Sequence, residues 1–159
     1  MTDFALIKAP QTTYLYVVRT CSMDPQDISK NMGSAFQQVW AFMQAKAIQP
    51  AGGALSVYYD YHPDKMTFRA GFTIAQQDAA KAEGEVKADT TPAGEVLHFR
   101  HKGSYGTLRD AYAQMMSHIA DIGREISVPT WEVYLNSPDE VAEQDLLTDV
   151  YSMLKPPRS

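Results

Sequence analysis

The hydrophobic positions fall into two alternating regimes. From Ile28 to about Ala47 the apolar residues Met32, Ala35, Phe36, Val39, Trp40 and Met43 recur at spacings of three and four, the mark of an amphipathic helix. It follows the loop Met23-Asp-Pro-Gln-Asp, with Asp27 as cap, and ends near the breaker Pro50-Ala-Gly-Gly. A second stripe, Leu108, Ala111, Tyr112, Met115, Met116 and Ile119, predicts a helix from about Tyr105 to Ile122. Strands are expected where β-branched and aromatic residues cluster: Thr13 to Arg19, Leu55 to Tyr61, Met66 to Ile74, Gly94 to Lys102, Thr130 to Asn136 and Leu146 to Leu154. A turn at His62-Pro-Asp-Lys makes the second and third a hairpin. Residues 75–84 are polar and Ala-rich and read as a connector.

The order strand, helix, strand, strand thus occurs twice. Ala35-Phe36-Gln-Gln38 echoes Ala111-Tyr112-Ala-Gln114 at an offset of 76, and Tyr59 and Pro63 echo Tyr134 and Pro138 at an offset of 75. Two matched segments in the same order predict an internal repeat, about 12–74 and about 92–154, within one domain of 159 residues. The expected fold class is α+β, an antiparallel sheet with two main helices on one face. A duplicated unit also leaves a seam between its halves, a favoured place for a ligand cleft.

The chain is 45% apolar and 21% charged, as in soluble globular proteins. A net charge of −5 with no run of Lys or Arg argues against nucleic-acid binding, which depends on cations meeting phosphate. No stretch approaches the roughly 18 apolar residues that span a membrane, and the first residues lack a signal peptide's apolar core. A cytoplasmic location is the default expectation. The single Cys21 rules out an internal disulfide and has no base partner nearby in sequence, so it reads as an incidental thiol.

The candidate chemistry centres on Trp131-Glu132-Val-Tyr134. A carboxylate in a strand that otherwise reads as buried is costly unless paired, and a pocket whose ligand supplies the partner would account for it. Alternation puts Glu132 and Tyr134 on one face and Trp131, Val133 and Leu135 on the other. The second set is the more apolar, so it is expected to pack on the helix, with Glu132 turned to the opposite face. The plain alternative is a solvent-facing Glu on an open sheet. Tyrosines around a carboxylate would suit flat cations through stacking and cation–π contact. Phe36, Trp40 and Tyr112 lie on helix stripes and read as core. His98 and His101 are three apart on a strand and face opposite ways; with His62 in a turn and His118 on a helix, no metal site is expected. Gly103-Ser-Tyr-Gly106 could hold an anion on its backbone N–H groups, but a cap from Ser104 is the simpler account. No cofactor is indicated.

Thr91-Pro-Ala-Gly94, His101-Lys-Gly-Ser-Tyr105-Gly-Thr-Leu108, Trp131-Glu132-Val-Tyr134, Asn136-Ser-Pro138, Leu147-Thr-Asp-Val-Tyr151 and, in the first half, Phe68-Arg-Ala-Gly71-Phe72 together resemble the GyrI-like family. This is the effector-binding domain of AraC- and MerR-type regulators such as BmrR. The resemblance spans nearly the whole chain. It implies two strand–helix–strand–strand units about a pseudo-twofold axis, a ligand cleft between them, and a buried acid, here Glu132, that meets drug-like cations. The ligand-binding residues it suggests are Glu132, Tyr134, Tyr151 and Tyr105, with Tyr16, Tyr58 and Phe72 from the first half. The first strand begins near residue 12, leaving no room for a preceding helix-turn-helix, so a stand-alone effector-binding domain is expected.

Three functions follow from the resemblance. The first is a stand-alone module binding lipophilic aromatic, cationic compounds. The second is a hydrolase of strained, cyclopropanoid electrophiles, with Glu132 as general base and Tyr105 or Tyr134 assisting the leaving group. The third is a protein-interaction role, as an inhibitor of DNA gyrase or partner of a regulator.

Overall fold

The computed structural model describes residues 4–59, 64–136 and 140–156, apart from the side chains of Pro25 and Tyr105. The chain divides into two compact units, one of Met1–Ala9 with Gly94–Ser159 and the other of Pro10–Ala93. The elements run β1 (Ala5–Ala9), β2 (Thr13–Ser22), α1 (Pro25–Ala45), β3 (Pro50–Tyr58), β4 (Lys65–Ile74), a short 3-10 turn (Gln76–Lys81), β5 (Lys87–Thr90), β6 (Gly94–Lys102), α2 (Tyr105–Asp121), β7 (Ile126–Tyr134), a second 3-10 turn (Glu143–Asp145) and β8 (Leu147–Leu154). No helix of the described residues is long and apolar enough to cross a membrane.

In the Pro10–Ala93 unit the strands lie in the order β3-β4-β2-β5, all antiparallel. Helix α1 presents Ala35, Val39 and Met43, fully buried, to Leu15, Val17, Phe68 and Ala70. These residues sit four apart on the helix and two apart on each strand, so one face of each element is removed from water, the dominant favourable term in folding. Asp24 caps α1 by accepting from the Gln26 backbone N–H. Asp27, expected as the cap, instead accepts from the Ser22 backbone and hydroxyl at 2.8 and 2.9 Å. Pro25 lets the helix start early, because a first-turn proline needs no N–H partner. Trp40, expected in the core, is 41% exposed. The buried stripe is narrower than the apolar one, and Trp40 rests at its edge against Phe72, ring centroids 5.5 Å apart. Gly71 pairs with Tyr16 on one side and Leu55 on the other; a Cβ there would stand 1.7 Å from the Leu15 carbonyl oxygen. Cys21 is buried in this core, and burial, with Asp27 adding to it, pushes its thiol pKa up.

In the other unit the order is β1-β6-β8-β7, again antiparallel throughout. Helix α2 buries Leu108, Ala111, Met115 and Ile119 against Leu97, Phe99, Val150 and Leu154. Met116, read as part of the stripe, is 46% exposed. Ser104 caps the helix, as expected, by accepting from the Thr107 N–H. Phe4 closes the core, edge-on to Phe99 and stacked on His118.

The chain order β2-α1-β3-β4 and the chain order β6-α2-β7-β8 therefore yield sheets of the same connectivity. Two strands were not anticipated. Ala5–Ala9 extends the sheet beside β6, and Lys87–Thr90 extends the one beside β2. Pro50-Ala-Gly-Gly, read as a breaker, lies inside β3, where the register with β4 shifts between Pro50 and Ala54. A bulge accommodates the proline and glycines that would weaken a regular strand. Strand β7 shows a like shift against β8 between Ile126 and Thr130. His62 and Pro63 of the expected turn, and Ser137 to Asp139, lie outside the described residues.

Candidate functional site

Glu132 lies on β7 opposite Val150 of β8. Val150 belongs to the α2-facing core, so Glu132 faces the helix. This reverses the sequence expectation, which turned the more apolar set to the helix. The reason is aromatic: Trp131 stacks on its cross-strand partner Tyr151, centroids 5.4 Å apart and planes 17° apart, and Tyr151 packs on His98 at 4.8 Å. That stack fills the face away from α2, and Glu132, next in sequence, points the other way.

Glu132 is 6% exposed. The Tyr112 hydroxyl, from α2, donates to Oε2 at 2.5 Å, and the Tyr134 hydroxyl, two residues along the strand, donates to Oε1 at 2.7 Å. Each carboxylate oxygen therefore meets one neutral phenol. Among the described residues no cation forms an ion pair with it. Burial raises its pKa; the two phenol hydrogen bonds and the charge of nearby His101 oppose that without cancelling it. His101, buried on β6, has Nε2 3.0 Å from Thr107 Oγ1 and 3.1 Å from the Ser104 carbonyl, which ties it to the start of α2.

Asp149, on neighbouring β8, supplies the contrast. It is 5% exposed, yet Arg100 Nε and Nη2 donate to it at 2.8 and 3.2 Å, and His98 Nε2 lies 3.1 Å away. Burial alone would raise its pKa; the bonds from Arg100 and His98 outweigh that and hold it below the usual carboxylate range. Two carboxylates of low exposure in one sheet are thus treated differently, one meeting the Arg100 guanidinium and the other two phenols.

The remaining sequence candidates separate. Tyr134 joins Glu132. Tyr151 does not: it lies on the opposite sheet face, against Trp131. The Tyr105 side chain lies outside the described residues. Tyr16, Tyr58 and Phe72 belong to the other unit. There, Tyr16 and Tyr59 flank the Arg69 guanidinium at 4.5 and 4.6 Å from their ring centroids. Arg69 also donates to Asp89 at 2.6 Å and to the Tyr14 hydroxyl at 3.1 Å, so the Tyr16 ring already stacks on an internal cation. Tyr58 pairs its hydroxyl with Ser56 Oγ at 3.0 Å, and Phe72 meets Phe36 and Trp40. Sequence reasoning missed Tyr112, assigned to the core. The available signal was its place beside the buried stripe of α2, where a phenol can pack its ring and still present its hydroxyl. No group of three or more potential metal ligands occurs among the described residues.

The chain is thus an α+β protein with a buried carboxylate that two phenols hold on the helix-facing side of its strand. The GyrI-like small molecule binding domain matches residues 2–155, and the chain belongs to that family. No curated protein matches it by sequence. Among solved structures, the EcmrR C-terminal domain is similar at 19% identity and TM-score 0.78, covering 98% of each chain. EcmrR in a DNA complex is similar at 18% identity and TM-score 0.82 over 97% of this chain; the chain spans 57% of that EcmrR chain. SAV2435 bound to tetraphenylphosphonium is similar at 14% identity and TM-score 0.64, covering 96% of this chain and 94% of that one. At these identities the likeness shows the fold.

Proposed function

We propose that this protein binds lipophilic aromatic cations at Glu132, acting as a small-molecule-binding module. The observation that carries the reading is the pairing of Glu132: a buried carboxyl with two phenol donors and, among the described residues, no ion pair, beside Asp149, which the Arg100 guanidinium meets directly. A monocation reaching Glu132 would supply the missing charge, and the faces of Tyr112 and Tyr134 would favour an aromatic one. The tetraphenylphosphonium bound by SAV2435 is a ligand of this chemistry.

The test is a titration of tetraphenylphosphonium, or of a planar cationic dye, into wild type and Glu132→Gln. Micromolar binding by wild type and a loss of about 1–3 kcal/mol in the variant are expected, the range for removing a charged hydrogen-bonding partner. Equal binding by the two proteins would remove Glu132 from the site.

The same carboxyl supports a second reading, a hydrolase, because the Tyr112 and Tyr134 hydroxyls provide proton donors beside a base. A hydrolase from Listeria innocua is similar in fold, at 12% identity and TM-score 0.61 over 96% of this chain and 91% of that one. In this reading Glu132 takes a proton from water, the water oxygen bonds to a strained ring carbon, and the ring bond breaks with a tyrosine protonating the leaving atom. Mass spectrometry separates the two: a product heavier by one water supports hydrolysis, and unchanged ligand supports binding.

A further inference from the structure

We infer that the Glu132 site exchanges a proton for its cation: wherever the empty site holds a neutral carboxyl, each monocation admitted sends one proton to solvent. This rests on the cation-binding reading and goes beyond it, because it fixes the stoichiometry and the pH dependence of uptake.

The geometry supplies the reason. Leaving an ionised carboxylate buried without a countercharge costs several kcal/mol, and such a group takes up a proton instead. The groups facing Glu132 can be named element by element. On its own strand β7 it meets the Tyr134 hydroxyl; from α2, the Tyr112 hydroxyl; and from β6, His101 acts on it through its charge. On β8 the residue opposite is Val150, while Asp149 belongs to the other face and is matched there by Arg100 and His98. Two neutral phenols and one histidine, itself engaged with Thr107 and Ser104, are the described polar surroundings. Burial disfavours the charged form and the phenols only partly offset it.

A ligand cation reverses this balance. It pairs with the ionised carboxylate, the O–H bond of the carboxyl breaks, and the proton leaves to buffer. The carboxyl's own negative charge is never left unmatched: a proton neutralises it in one state and the ligand's charge in the other. A neutral analogue of the same shape has no charge to exchange, so it releases no proton and binds without this pH dependence. On the acid side of the carboxyl's pKa the affinity for a monocation rises about tenfold per pH unit; on the alkaline side it levels off.

Isothermal titration calorimetry decides the matter. Tetraphenylphosphonium is titrated into the full chain in pairs of buffers of different ionisation enthalpy, from about pH 5 to pH 8; the difference in heat counts protons. Triphenylphosphine oxide serves as the neutral comparison. The expected result is a proton release that approaches one per cation on the acid side of the carboxyl's pKa and falls toward zero on its alkaline side. Glu132→Gln releases none, and neither does triphenylphosphine oxide. If tetraphenylphosphonium binds to wild type with no proton released at any pH, exchange is refuted while the cation site stands. If it does not bind at all, both are refuted. If the release persists in Glu132→Gln and is lost in His101→Gln, the exchanging group is His101 and the assignment to Glu132 is overturned.

Discussion

Tyr112→Phe isolates a single hydrogen bond at the site. The change keeps the ring that packs beside Phe99, centroids 6.0 Å apart, and removes only the hydroxyl that donates to Glu132 Oε2 at 2.5 Å. A hydrogen bond to a charged group contributes about 1.5–3 kcal/mol, against about 0.5–1.5 kcal/mol when both partners are neutral. The loss therefore falls mainly on the ionised carboxylate, and the Glu132 pKa moves further up. Cation affinity, where the empty carboxyl is neutral, drops by the difference of about 1–1.5 kcal/mol between the two, about tenfold. Ligand-free stability responds in the same sense. The folded carboxyl has a pKa above its ordinary 4.5, so its contribution to stability is full below that value and is lost as pH rises through the folded pKa. Urea unfolding of Tyr112→Phe should show the smaller penalty on the acid side of the folded pKa and the larger one on its alkaline side. A double-mutant cycle with Glu132→Gln then yields the coupling directly. Equal losses from Tyr112→Phe in the wild-type and Glu132→Gln backgrounds, at every pH, would refute the reasoning: the hydroxyl would then act through packing rather than through the charge.

Two further expectations concern the framework. Gly71→Ala sets a Cβ 1.7 Å from the Leu15 carbonyl oxygen, a backbone contact that no rotamer relieves, so β2 must move off β4; a loss above about 3 kcal/mol by chemical denaturation is expected, and a near-neutral result would contradict the pairing described. Asp149→Asn leaves Arg100 and His98 without their anion and should lower stability by about 1–2 kcal/mol, the lower part of the range for charged hydrogen bonds because Arg100 is solvent-screened. Asp149 has its pKa held below the ordinary 3.8, so its contribution is present above that value and disappears as pH falls through the folded pKa; acid unfolding of the variant should lose that part of its pH slope.

The helices and central strands were legible because their periodicities are strong. Ala35, Val39 and Met43 read as one stripe in sequence and form one in the core. The edge strands were not, since Ala5–Ala9 and Lys87–Thr90 are short and bury little, leaving almost no alternation to detect. At the site, Glu132 and Tyr134 could be picked out from alternation and the cost of a buried charge. Their facing could not. Counting apolar residues put Trp131 toward the helix, whereas cross-strand stacking with Tyr151 decided the matter, and that partner is 20 residues away in sequence. Tyr112 was hidden for a related reason: an aromatic beside a helix stripe reads as core until its hydroxyl's partner on β7 is known. Tyr151 illustrates the converse, a residue that lies close to Glu132 along the fold and still belongs to the opposite face.

Cys21 has a practical bearing on how the Pro10–Ala93 unit can be watched. It is the chain's single thiol, set in β2 within the core beneath α1, and its pKa is raised. Alkylating reagents attack the thiolate, so labelling must await an excursion that admits solvent to that strand. With excess reagent, the rate at which the protein gains one adduct becomes a clock for the opening of this unit alone. No engineered probe is needed, and the readout is a single mass shift.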